Sequence, residues 1–148
     1  MNPNHYRFTS EWDLPAHPAA VLAVLERAEE YSVWWPQVRE MVQVDATTGR
    51  AHFRSVLPYD LVVTLERARR DPAAGTLEVS MTGDLEGWAR WTVTGRGGGS
   101  RVRYEQEVEV RKRLMRLLGP VARPAFRANH ALMMRAARRG LTARLGAV

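Results

Sequence analysis

From Tyr6 to Leu14 apolar and polar positions alternate. Tyr6, Phe8, Ser10, Trp12 and Leu14 fall on one side, and Arg7, Thr9, Glu11 and Asp13 on the other. A period of two is that of a strand with one buried face, so the chain opens on a β-strand. Pro15 and Pro18 mark its exit. Residues 19–28 then read as a short helix whose buried stripe is Val21, Leu22, Val24 and Leu25. The stretch from Tyr31 to Trp35 is too aromatic for a solvent loop and predicts a second short helix. It stops before Pro36, because the residue ahead of a proline is pushed out of helical geometry.

Beyond Val38 the pattern predicts strand after strand, at about 38–45, 50–57, 60–70, 76–82, 85–95 and 101–111. The turns are Asp71-Pro72-Ala73-Ala74-Gly75 and Gly95-Arg96-Gly97-Gly98-Gly99. Alternation is clearest in the last two strands. Leu85, Gly87, Ala89, Trp91 and Val93 oppose Glu86, Trp88, Arg90 and Thr92. Val102, Tyr104, Gln106, Val108 and Val110 oppose Arg101, Arg103, Glu105, Glu107 and Glu109. With the first strand this makes a seven-stranded antiparallel sheet with one dry face.

After Arg113 the period returns to 3.6 almost to the end, with Gly119-Pro120 and Pro124 predicting a broken or kinked first part. Projected at about 100° per residue, Ala122, Phe126, Asn129, His130, Met133, Ala137 and Gly140 share one side. Arg127, Arg135, Arg138 and Thr142 take the other.

A chain of 148 residues fits one domain, residues 1–148, and a fold of this size buries roughly 70% of its unfolded surface. No apolar stretch reaches the roughly 20 residues of a membrane span, and the first residues carry no apolar signal segment, so a soluble, cytoplasmic protein is expected. With no cysteine, disulfides, thiolate chemistry and Cys-ligated metals are excluded. A net charge of +6 invites a phosphate-binding reading. Arginine supplies nearly all of it, Lys112 being the sole lysine, and such one-sidedness more often reflects the codon usage of a GC-rich genome than a binding surface. A nucleic-acid partner is not expected.

The order strand, two short helices, six strands and a long C-terminal helix resembles the superfamily of START lipid-transfer domains, the birch-pollen allergen and bacterial polyketide cyclases. Local runs carry the likeness further. Gly83-Asp84-Leu85-Glu86-Gly87-Trp88-Ala89-Arg90-Trp91, Ser100-Arg101-Val102-Arg103-Tyr104, and Arg123-Pro124-Ala125-Phe126-Arg127-Ala128-Asn129-His130 with Met134 resemble the bacterial group labelled polyketide cyclase/dehydrase or SRPBCC proteins. The resemblance implies an α+β helix-grip fold, a curved seven-stranded antiparallel sheet wrapped around the C-terminal helix, with a ligand cavity between the two. It is specific for fold and weak for activity. The iron-binding arrangement of the ring-hydroxylating members is missing, since His5, His17, His52 and His130 are scattered. No metal or cofactor is expected. Asp45-Ala46-Thr47-Thr48-Gly49-Arg50 is a plain turn where the allergen and hormone-receptor branch has a glycine-rich loop.

On that reading the dry-face residues wall the cavity: Phe8, Trp12, Phe53, Leu65, Met81, Trp91, Tyr104 and Met133, with Phe126 on the helix. Each taken singly also fits plain core packing. Trp34 and Trp35 read either as a lid at the entrance or as a staple between helix and sheet. Polar residues on dry faces discriminate better, because burying an unpartnered polar group costs roughly 1–3 kcal/mol. These are Ser10, Ser55, Gln106, Asn129 and His130, where a structural hydrogen bond competes with orienting a ligand carbonyl or hydroxyl. Arg67 continues the inward register of Leu61, Val63 and Leu65, toward the cavity mouth or toward solvent. Trp88, outward among charged neighbours, suggests a homodimer contact or a covered edge.

The leading function is binding or transport of a small hydrophobic ligand, a lipid, isoprenoid or polyketide-like molecule, with only transient membrane contact if the ligand is a lipid. The alternative is a cyclase/dehydratase in which His130 or Tyr104 moves a proton. A third and weakest reading uses the arginine face of the last helix on nucleic acid or anionic membrane.

Overall fold

The structure is a computed structural model that describes residues 4–54 and 60–146. Strand β1 (His5–Leu14) is followed by helix α1 (Pro18–Glu26), a single 3-10 turn (Ala28–Glu30) and helix α2 (Tyr31–Trp34). Then come β2 (Val38–Gln43), β3 (Thr48–Arg54), β4 (Asp60–Asp71), β5 (Thr76–Gly83), β6 (Leu85–Arg96), β7 (Gly99–Val110) and helix α3 (Arg113–Gly146). The seven strands form one sheet in the order β1-β7-β6-β5-β4-β3-β2, every neighbouring pair antiparallel. The α+β architecture is the helix-grip arrangement expected from the order of elements.

Strands β2 to β7 form a meander, each paired with the next. Its last hairpin turns on Gly97 and Gly98, with φ of 52° and 85°, the two left-handed residues that a two-residue turn between twisted strands requires. Register slips between Val38 and Glu40 in β2, and between Arg67 and Arg69 in β4, are bulges that bend the sheet. Ser55, one of the expected dry-face polar residues, lies outside the described residues.

Helix α3 runs unbroken for 34 residues, so of the broken or kinked entry expected at Gly119-Pro120 and Pro124 the break does not occur. Each proline forfeits one backbone bond. Both lie in the N-terminal part of the helix, and Pro124 is exposed, where its ring meets solvent rather than packed neighbours. The projected face is seated as expected: Ala122, Phe126, Asn129, His130, Met133, Ala137 and Gly140 are all buried or half-buried, while Arg127, Arg135, Arg138 and Thr142 are exposed. Leu141, fully buried, and Met134 extend that face.

Four contacts fix the helices. A Cβ at Gly140 would overlap the Trp34 carbonyl oxygen, so α2 and α3 meet backbone to backbone. The Trp35 indole N–H donates to the Met133 carbonyl at 3.0 Å, and Arg144 pairs with Glu30 at 2.8 Å. At the other end of α1 the buried Ser100 hydroxyl donates to the Ala16 carbonyl at 2.6 Å. Among the described residues no helix is long and apolar enough to cross a membrane.

Candidate functional site

The strand register lays the dry face out in rows. One row runs Phe8, Gln106, Ala89, Val79 across β1, β7, β6 and β5 and reaches Arg67 on β4. A second runs Tyr6, Val108, Gly87, Met81 and Leu65, and a third runs Ser10, Tyr104, Trp91, Leu77 and Arg70. Between these rows and α3 lies a cavity of about 380 Å³, walled mainly by apolar side chains. That volume lies in the range of small-molecule sites.

Trp35, Phe53, Leu65, Met81, Trp91, Tyr104, Gln106, Phe126, Asn129, His130 and Met133 all line it, as does Phe8. Trp12 and Trp34, expected on the wall, do not. Trp12 stands one row beyond Tyr104, opposite Val102, where α1 packs on β6 and β7, and there it is buried against Trp91 at 5.8 Å between ring centroids. Trp34 is sandwiched between α2 and α3, stacked on Trp35 at 5.8 Å. Of the two tryptophans before Pro36, Trp34 is a staple and Trp35 a wall. Ser10 is half-buried on β1 beside Tyr104 and outside the lining. Tyr6, Leu25, Tyr31 and Met41 line the cavity and were not singled out as walls. For Tyr6 the signal was present in the alternation of β1. Tyr31 comes into the cavity from the aromatic helix.

Between β7 and α3 the cavity wall holds a polar cluster. Tyr104 and Gln106, two apart on β7, share a face, and the Tyr104 hydroxyl donates to Gln106 Oε1 at 2.8 Å. His130 Nε2 lies 2.9 Å from the same oxygen. The Gln106 amide nitrogen lies 3.8 Å from the Met81 sulfur, and that of Asn129 lies 3.8 Å from the Met133 sulfur. The Phe8 ring lies parallel to the imidazole, 3.6 Å from it and 6° from its plane. Gln106 and Asn129 are 5% and 8% exposed, so these are interior groups that need partners.

Burial sets their acidity. Desolvation penalises the imidazolium and lowers the His130 pKa from 6.5 to about 4, and it pushes the Tyr104 phenol above its usual value. The Tyr6 phenol is raised by the same cause, opposed by Arg123 and Arg127.

The mouth lies between the end of α1, the 3-10 turn, the β2–β3 turn and β4, and is lined by Glu26, Arg27, Thr47, Arg67, Arg69 and Arg70. Arg27 pairs with Glu30 at 3.5 Å, Arg70 with Glu26 at 3.0 Å and Arg69 with Asp71 at 3.4 Å. Arg67 is exposed on this rim, not at a frayed strand end, since β4 continues to Asp71. On the outer face Arg90 covers the Trp88 ring at 4.6 Å, which supplies the half-buried indole with a neighbour from its own chain. The other histidines are spread around the surface: His5 near Glu107, His17 capping α1 and His52 near Asp60.

The profile of the family described as polyketide cyclase / dehydrase and lipid transport matches residues 5–147. Among curated proteins none matches this sequence. Solved structures superpose closely at low identity. The protein TTHA0849 from Thermus thermophilus has a TM-score of 0.81 and 17% identity, covering 96% of this chain and 98% of its own. The Zhui aromatase/cyclase from Streptomyces sp. R1128 gives 0.79 and 13%, covering 96% and 94%. A START superfamily protein from Mycobacterium smegmatis gives 0.74 and 13%, covering 95% and 97%.

Proposed function

The chain belongs to the polyketide cyclase / dehydrase and lipid transport family, and from that premise we propose that it binds or carries a small hydrophobic ligand, a lipid, isoprenoid or polyketide-like molecule, in the cavity between sheet and α3. The observation that carries this reading is the cavity itself. About 380 Å³ of space walled mainly by apolar groups lies between the sheet and α3, a volume in the range of small-molecule sites. An apolar ligand seated there gains contacts with the wall on every side.

Trp35, Phe53, Leu65, Met81, Trp91, Phe126 and Met133 supply the apolar contact, and Gln106, Asn129, His130 and Tyr104 supply orientation. A membrane would be touched only to load or unload a lipid cargo.

The second reading, a cyclase or dehydratase using His130 and Tyr104, has one observation in its favour: an imidazole lies inside the cavity, held by a neighbouring amide. The acidities weigh against it. General acids and bases work best with pKa values near the operating pH, whereas His130 is lowered to about 4 and Tyr104 is raised.

Organic extraction of freshly purified protein, read by mass spectrometry beside native spectra, tests the proposal. A stoichiometric hydrophobic adduct supports it. An empty protein whose tryptophan fluorescence also ignores lipids and aromatic polyketides sinks it. His130→Ala divides the two readings, because a carrier changes only in affinity whereas an enzyme loses turnover and still binds.

A further inference from the structure

We infer that the polar cluster of the cavity favours ligands bearing a hydroxyl, because one polar atom it leaves free is an acceptor, Nδ1 of His130. The inference rests on the reading of the cavity as a ligand site and adds the chemical class of the group that meets the cluster.

The argument is an inventory of polar atoms. The Tyr31 hydroxyl donates to the Leu25 carbonyl at 2.6 Å and the Trp35 indole to the Met133 carbonyl at 3.0 Å. The Trp91 indole N–H lies near the Tyr31 phenol and is a donor on the cavity wall. The Tyr104 hydroxyl is spent on Gln106 Oε1. Asn129 Oδ1 has no partner and, like Tyr6 Oη beside Arg123, is itself buried with no surface open to the cavity.

What remains is decided by two thioethers. A thioether sulfur accepts weakly and never donates, so the end of each amide that faces one is its NH₂. Met81 therefore fixes Gln106 with its oxygen toward Tyr104 and His130. An amide oxygen only accepts, so His130 Nε2 carries the proton and donates. Nδ1 is then left as a lone-pair nitrogen. Among the described residues it has no hydrogen-bond partner and it is not occluded. Stacking on Phe8 holds the ring plane, and the depressed pKa keeps the ring neutral at physiological pH. A ligand hydroxyl, phenol or enol satisfies this nitrogen. At this nitrogen an ether, ketone or carboxylate meets lone pair with lone pair, and such groups are left to the N–H donors of Gln106, Asn129 and Trp91.

Isothermal titration of 2-naphthol, 2-methoxynaphthalene, 2-acetylnaphthalene and 2-naphthoate tests the inference with probes that share an apolar body. The expected result is that 2-naphthol binds about tenfold tighter than the ether, the size of one net hydrogen bond. His130→Phe should erase that preference while leaving the affinity of the ether within about twofold. Equal or tighter binding of the ether, ketone or carboxylate overturns the hydroxyl preference and leaves the cavity reading standing. Failure of all four probes overturns both.

A readout that needs no variant is the ¹⁵N spectrum of histidine-labelled wild-type protein. It should show a protonated Nε2 and an unprotonated Nδ1 at His130. The opposite tautomer overturns the inference whatever binds.

Discussion

The two ends of the cavity handle polarity in opposite ways. Between β7 and α3, Tyr104, Gln106 and His130 satisfy one another through a single amide oxygen, at 2.8 and 2.9 Å, inside a dry wall. At the mouth, Arg27, Arg69 and Arg70 meet carboxylates at 3.0 to 3.5 Å in contact with water. The interior cluster depends on each member, since no solvent replaces a lost partner. The rim does not, because water and salt stand in for any partner removed. Polar groups therefore contribute rigidity and selectivity at one end and little more than solubility at the other.

The contrast predicts a graded set of effects. The largest is a response to acid. His130 titrates at about 4 in the folded protein against 6.5 unfolded, so below 6.5 the unfolded chain binds the extra proton and stability falls as pH drops. The loss runs from pH 6.5 to about 4 and totals about 3 kcal/mol from this one group. Urea titrations across that window should show it, and His130→Phe should lack this component. If both proteins decline alike, the imidazole is not held neutral by burial.

Next in size is Gln106→Leu. It keeps the volume but strips Tyr104 and His130 of their shared acceptor, at a cost of about 2 kcal/mol in urea midpoint with an unchanged slope. A cost below about 0.5 kcal/mol would mean that a water takes the place of the amide.

Smallest is Arg70→Ala on the rim. The expected change is under about 1 kcal/mol and disappears in about 0.5 M salt. A large, salt-resistant loss would erase the distinction between the ends.

Much of this was legible from residue pattern because strand alternation and helical phase report which side of an element faces inward. The alternations of β1, β6 and β7 predicted their buried sides residue for residue, and the 3.6 period put Asn129, His130 and Met133 on the inner arc of α3. Pattern does not report what covers an inward face. Trp12 and Trp91 are both inward on their strands, and only Trp91 borders empty space, because α1 covers the row that holds Trp12. Trp34 and Trp35 are adjacent, and the short turn of α2 sends one into the seam with Gly140 and the other into the cavity. The shared acceptor at Gln106 joins β7 to α3, and no local period encodes a contact between elements so distant in the chain. The unbroken α3 shows the reverse error. Proline rules speak of local cost, and 34 residues of helix with a buried face absorb it.

The strand order also dictates a sequence of events in time. Strands β2 to β7 pair with their chain neighbours, so the meander closes short loops, whereas β1 must find β7 across the length of the chain, with His5 opposite Glu109. Short loops cost less to close and form sooner. Phe8 belongs to β1 and His130 to α3, so loop closure predicts that the pocket is completed after the meander. In native-state hydrogen exchange, β1 and α3 amides should open at lower free energy than those of β5 and β6, and a hydroxylated ligand should slow them first.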